Sequence, residues 1–425
     1  MRHFVDRTPI IPARDLWRVV VDLTAVLPGG ENGGAKVVAL ELVRLVAQTV
    51  PHCEFILLTL ARNHGELAAL EVSNVKRLQV DIPGPTQSPL RNSILHLRSI
   101  ARKVLPLRLL DRISGRYDKY RKAVPNSLLR HLGADILFCP FTVSDYYDPS
   151  VPLVSIVHDL QHRYHPQFFD LTEVYARERA FREACRVSRY IVCTSRCVRE
   201  SVLANGEVAP ERVEIIPILL QHRLRRPAAA VMEQALRALG LASDGFLLYP
   251  ANFWRHKNHE ALLRAFRLYL EDNRNSNLKL VLTGAPGIRR DLILQICHSD
   301  RLLSDHVVCP GYLAEQQFSA LLYSCRAIIF PSLFEGFGMP LLEGMAAGKP
   351  LLVSDATSLP ELAGEAALYF DPNRPPEIAD AIARLEQDVD LRRSLAAKAT
   401  DRLRAFGGPE EMAARYVEVF RAAIN

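Results

Sequence analysis

Between Phe246 and Val353 five short apolar runs alternate with four helical patterns, and this rhythm leaves few folds open. The runs are Phe246 to Tyr249, Leu280 to Thr283, Val307 to Cys309, Ala327 to Phe330 and Leu351 to Val353. Helices are predicted from Asn258, Ile288, Glu315 and Pro340. Apolar runs without polar alternation suit strands covered on both faces, and a helix between strands is the usual way to keep them parallel. The segment therefore predicts a doubly wound α/β sheet.

The first half carries the same rhythm less regularly. A run from Arg18 to Leu23 precedes a glycine loop, Gly29 to Gly34, and a helical pattern from Val37 to Val50. Further runs at Phe55 to Leu60, Ile136 to Cys139, Leu153 to Val157 and Tyr190 to Cys193 predict an open parallel sheet covered by helices. A chain of 425 residues exceeds what one core usually supports. Strand character lapses between Pro217 and Ala230. The expected division is a Rossmann-like domain over residues 1–222, a second over 223–405, and a C-terminal helix over 406–425 that packs back on the first. The other closing helical patterns begin at Pro376 and Leu391. In such an arrangement a ligand sits between the C-terminal ends of the two sets of strands.

Composition excludes several classes. With 49% hydrophobic and 24% charged residues the chain is neither a disordered polymer nor a membrane bundle, and no apolar run is long enough to span a bilayer. The N-terminal stretch MRHFVDRTPIIPARDLWR has no apolar signal core, which predicts a cytosolic location. The eight cysteines form no C-x-x-C pair, so they are expected as core residues in a reducing compartment.

The net charge of +6 is uneven. Arg91, Arg98, Arg102, Lys103, Arg108, Arg112, Arg116, Lys119, Arg121 and Lys122 are opposed only by Asp111 and Asp118, and Leu and Ile are interleaved with them. A basic amphipathic stretch of this kind suits an anionic membrane surface; a solvated helical face is the plainer alternative. The charge comes with no aromatic interleaving or nucleic-acid-binding signature, so nucleic acid is not an expected partner.

The sharpest chemical signal runs from Phe330 to Gly344, where a buried strand gives way to an acidic glycine loop and then a helix. Gly336 and Gly338 would let backbone approach a ligand, and Pro340 suits a first helical turn. Glu335 could accept hydrogen bonds from hydroxyls. Glu343, placed in the first turn, could equally serve the helix dipole. A second signal is Tyr249-Pro-Ala-Asn252-Phe-Trp-Arg255-His-Lys257-Asn258-His-Glu260. Here Asn258 reads as an N-cap, and Lys257 stands beside a helix start, where a cation can hold a diphosphate. A third, His158-Asp159-Leu-Gln-His162-Arg-Tyr-His165, follows a strand of the first half; it lacks a helical ligand spacing, so no metal site is expected.

Together these strings resemble the retaining family-4 glycosyltransferases, whose fold is GT-B, two facing Rossmann-like domains with an interdomain cleft. The resemblance is strongest between Phe246 and Asp371, and Glu335 and Glu343 match the family's E-x7-E pattern. It implies that Glu335 and the amides after it (Gly336, Phe337, Gly338, Met339) hold the donor sugar, and that Glu343 binds the nucleotide ribose. It further implies that Lys257 holds the diphosphate and that His158 faces the reacting carbon. Asp159 and His162 fall on the acceptor side. Gly33, Gly34, Asn252, Arg255, Gly284 and Tyr312 line the donor. Relatives commonly carry an Arg where this chain has Asn252; Arg255 is the nearest guanidinium.

The implied reaction is transfer of a hexose, best matched to mannose from GDP-mannose, to a glycan or lipid-linked acceptor in bacterial surface polysaccharide synthesis. No cofactor or metal is expected; Asp388-Val389-Asp390 is set between helical patterns, with Asp390 as an N-cap rather than a metal ligand. A UDP-hexose or rhamnosyl donor, a GT-B nucleotide-sugar epimerase and an inactive sugar-nucleotide-binding module stay open.

Overall fold

The computed structural model describes residues 16–29, 32–81, 127–221, 223–285, 287 and 289–425. The basic stretch at 91–122 lies outside the described residues, as do Gly30 and Glu31 of the glycine loop. Strands β1 (Arg18–Asp22), β2 (Glu54–Thr59), β3 (Val75–Gln79), β4 (Ile136–Cys139), β5 (Leu153–Val157), β6 (Tyr190–Cys193) and β7 (Val213–Ile215) form one sheet in the order β3-β2-β1-β4-β5-β6-β7. Every pairing in it is parallel.

Strands β8 (Phe246–Pro250), β9 (Lys279–Thr283), β10 (Val307–Gly311), β11 (Ala327–Phe330), β12 (Leu351–Ser354) and β13 (Ala367–Phe370) form the second sheet, β10-β9-β8-β11-β12-β13, also all parallel. This is the Rossmann order, and the order of strand addition reverses between β8 and β11, where such sheets bind ligands. The corresponding reversal in the first sheet lies between β1 and β4.

The central strands are the apolar runs. β4, β5, β11 and β12 are buried at every residue, as expected where helices cover both faces. β3 and β7, in which charged residues interrupt the apolar pattern, are sheet edges and only partly buried, as is β13, an apolar run outside the expected strands. Edge strands keep polar residues because one side is unpaired, so their hydrophobic signal is weak.

The chain passes between the lobes twice, once after β7 and once before its last helix, Pro409–Ile424. That helix packs on the first sheet, with Phe138 of β4 ringed by Tyr416 and Phe420 at 5.8 and 5.1 Å. The two crossings touch: Leu219 N donates to Met412 Sδ at 3.3 Å and Gln221 Nε2 to Gly407 O at 2.7 Å.

Candidate functional site

The sites read from the sequence lie at the C-terminal ends of strands, with the two sharpest in the second sheet after β8 and β11, either side of its reversal. After β8 the loop carries Asn252 to Lys257; after β11 it carries Glu335 to Gly338. Lys257 Nζ donates to Glu335 Oε1 at 2.6 Å, with both side chains largely buried. The ammonium also lies 5.2 Å from the centre of the Phe330 ring. Loop position is fixed from several sides: Tyr249 Oη donates to the Lys257 carbonyl, Thr357 Oγ1 accepts from Glu335 N, and Ser358 Oγ donates to Glu335 O and Phe337 O.

Three expectations about the helix starts need correction. Asn258 does occupy the N-cap position of His259–Asp272, but its backbone is left-handed (φ 59°) and its side chain makes no cap. The amide instead donates to Pro331 O and Pro372 O at 3.1 and 2.7 Å, tying the lysine loop to the ends of β11 and β13. Glu343 is the fifth residue of Met339–Ala346, and so lies in the second turn rather than the first. Near the C-terminus Asp388, not Asp390, caps the helix Val389–Arg404, accepting from Leu391 N at 2.8 Å.

The glycines have separate reasons. Gly338 is left-handed (φ 107°), and a β-carbon there would also sit 2.7 Å from Leu359 Cδ2. At Gly336 a β-carbon would fall 1.9 Å from the carbonyl oxygen of His158, so this glycine admits the backbone of the other lobe. The contact is reinforced by Ser195 and Thr194, whose hydroxyls donate to Gly336 O at 2.7 and 3.2 Å. Nearby, both Glu361 oxygens accept from Arg196 N and Cys197 N at the start of the helix Arg196–Asn205.

The glycine loop meets the same site. A β-carbon on Gly33 would lie 3.0 Å from the Trp254 ring and 3.4 Å from Asn252 Nδ2, and one on Gly34 would lie 3.9 Å from Met339 Sδ. Buried Lys36 braces the loop by donating to the carbonyls of Leu27 and Gly29 and to Glu66. Asn252 Oδ1 accepts from Ala285 N at 2.8 Å, beside Gly284, where a β-carbon would strike Ala251 O. Arg255 reaches across the lobes to Gln167 O at 3.0 Å.

His158 Nε2 lies 2.9 Å from Pro140 O. A carbonyl can only accept, so Nε2 carries the hydrogen and Nδ1 of the neutral ring is an acceptor. Burial holds the His158 pKa below the ordinary imidazole value, against smaller opposing effects of Pro140 and Asp159. Asp159 shapes the turn by accepting from Gln161 N. His162 is only 3% exposed and turns toward Glu178, and His165 stacks on Phe168, so the three histidines have three different surroundings. Among the described residues no cluster of His, Cys, Asp and Glu is arranged to hold a metal.

Glu343 is brought close to Arg223, which the sequence had not singled out: Nη2 and Oε1 are 2.7 Å apart. Burial pushes the Glu343 carboxyl above its ordinary pKa, and Arg223 opposes that. Tyr312 stands exposed at the end of β10. Arg223, Lys36, Ser195 and Glu361 carry no motif; their importance arises from contacts distant in sequence.

The family model described as "Glycosyl transferases group 1" matches residues 233–402. The chain is 26% identical to the O-antigen chain mannosyltransferase B of Escherichia coli over 60% of its own length and 66% of that protein. It is 28% identical to the serotype-specific mannosyltransferase WbdA of Escherichia coli over 60% of its own length, but only 32% of that protein. In fold it is similar to Anabaena Alr3699/HepE, solved in complex with UDP and glucose, with a TM-score of 0.70 at 15% identity over 96% of this chain and all of that one. The architecture is GT-B.

Proposed function

With residues 233–402 a group 1 glycosyltransferase domain, we propose that the protein transfers a hexose from a nucleoside diphosphate donor to a hydroxyl of a glycan, with retention at the anomeric carbon. The observation that carries this reading is the Lys257–Glu335 pair at the reversal between β8 and β11, closed over by His158 and the glycine loop of the other lobe. Lys257 and the amides beginning Met339–Ala346 supply positive charge for a departing diphosphate, and Glu335 accepts from sugar hydroxyls. In the transfer the acceptor oxygen bonds to the anomeric carbon as the carbon–phosphate-oxygen bond breaks. The acceptor's proton passes to the leaving phosphate, so no protein base is needed, and the acceptor oxygen itself is the nucleophile. His158, neutral at physiological pH, takes part as a hydrogen-bonding group.

The preferred donor is GDP-mannose, in keeping with the two mannosyltransferase relatives. UDP-hexose is the second reading, favoured by the UDP and glucose bound in the Anabaena neighbour. Turnover of GDP-mannose and UDP-glucose, each with wild type and Glu335→Ala, separates them. Wild-type activity persisting in Glu335→Ala counts against the site. The basic stretch at 91–122 is proposed to hold the protein on anionic membrane near a lipid-linked acceptor; no helix among the described residues is long and apolar enough to cross a membrane. Neutralising its arginines should release the protein from anionic liposomes, and unchanged binding would remove this part of the proposal.

A further inference from the structure

Arg223 lies in the segment that joins the sheets, and its two terminal nitrogens serve two acids from different helices. Nη2 is 2.7 Å from Glu343 Oε1 in Met339–Ala346, and Nη1 is 3.0 Å from Glu315 Oε2 at the start of Glu315–Ser324. The three are unequal in exposure: the Glu343 side chain is 7% exposed, Arg223 21% and Glu315 61%. The segment is itself anchored, since Tyr323 Oη donates to Leu224 O at 3.2 Å and Arg223 N to Leu220 O at 3.1 Å.

We propose that Arg223 is a positioning residue for the donor: its guanidinium fixes the Glu343 carboxylate in place and in its charged form, ready to accept from the ribose hydroxyls of a nucleoside diphosphate. This rests on Glu343 holding the nucleotide ribose, as the E-x7-E resemblance implies, within the proposed transfer reaction.

A buried carboxylate without a cation takes up a proton rather than bear the cost of desolvation. Once protonated, it is a poorer acceptor for hydroxyls. The charged groups that face Glu343 are Arg223, which favours the anion, and Glu315, which disfavours it; burial also disfavours it. Arg223 therefore stands between Glu343 and neutralisation. It also takes Oε1, which leaves the other oxygen for a ligand. A planar fork suits this work because it orients one acid while holding the second, whereas an ammonium acts as a point charge.

The test is calorimetric titration of GDP and of UDP into wild type, Arg223→Met, Arg223→Lys, Glu343→Gln and the Arg223→Met/Glu343→Gln pair between pH 6 and 9, with thermal melts to check folding. Affinities are compared with wild type at each pH, which cancels ionisation of the nucleotide. Arg223→Met should bind about tenfold more weakly at the acid end of the range and regain affinity as pH rises and Glu343 ionises unaided. Arg223→Lys, which keeps the charge but not the fork, should bind less tightly than wild type but show the flat, wild-type-like pH dependence that Arg223→Met loses. Glu343→Gln should be weakened at every pH, and the double variant no more than Glu343→Gln alone. A loss in Arg223→Met that is the same at all pH values, or no loss, overturns the role given to Arg223. Wild-type affinity in Glu343→Gln shows instead that the ribose assignment has failed, and the proposal falls with it.

Discussion

Replacing Gly336 by alanine tests whether the contact between the lobes belongs to the working state of the proposed transferase. The added β-carbon would lie 1.9 Å from His158 O, against 3.4 Å for ordinary contact, so the two backbones must part by about 1.5 Å. That displacement carries Gly336 O out of reach of Ser195 Oγ, now 2.7 Å away, and Thr194 Oγ1, now 3.2 Å away. Two neutral hydrogen bonds at about 1 kcal/mol each make the closed arrangement about 2 kcal/mol less favourable. If chemistry needs closure, kcat/KM for the donor falls about 30-fold. The clash lies between lobes and is relieved by opening, so each lobe keeps its fold. The assay pairs steady-state transfer kinetics with small-angle scattering and a thermal melt. Lower kcat/KM with a larger radius of gyration and an unchanged melt is the expected result. Wild-type kinetics together with an unchanged scattering curve would refute the reasoning.

Glu361→Ala removes the two amide contacts from the same interface and should reduce kcat/KM about fivefold in the same assay, less than Gly336→Ala because Ser195 still caps the helix. Lys257→Met should reduce kcat by about 10²- to 10³-fold, measured at saturating donor. Stability should fall on acidification. Burial depresses the His259 pKa to about 3 and holds His256 well below its ordinary value, so the unfolded chain binds more protons than the folded one below about pH 6.5. Stability is thus fully present above that pH and is lost as pH falls toward the folded pKa. His259→Phe should flatten the slope of urea-unfolding free energy by about 1.4 kcal/mol per pH unit between pH 5.5 and 4, and an unchanged slope would show that His259 titrates normally.

The central strands and the E-x7-E string could be read from the sequence because their signals are local. β4, β5, β6 and β11 end where their apolar runs end. The edge strand β3 escaped because Lys76, Arg77 and Gln79 interrupt its apolar pattern. Among site residues, Glu335 and Lys257 were recognisable at strand ends, but their direct pairing across 78 positions was not. The glycine at 336 was read as room for a ligand; its nearest neighbour is the backbone of another lobe. Arg223 carries no local signal, since what marks it is an acid 120 residues away.

The paired crossings between lobes have a mechanical consequence. A single linker would let one body tumble about the other, whereas two strands of chain lying side by side, joined at Leu219–Met412 and Gln221–Gly407, act as a doubled hinge. Bending about the line through them is cheap; twisting must shear both. Were the loops bearing Trp254, Gly33, Gly336 and His158 to separate, such a hinge would favour their return along one path. A chain cut at Gly407 would lose that guidance, and its lobes would meet only as often as a tether allows.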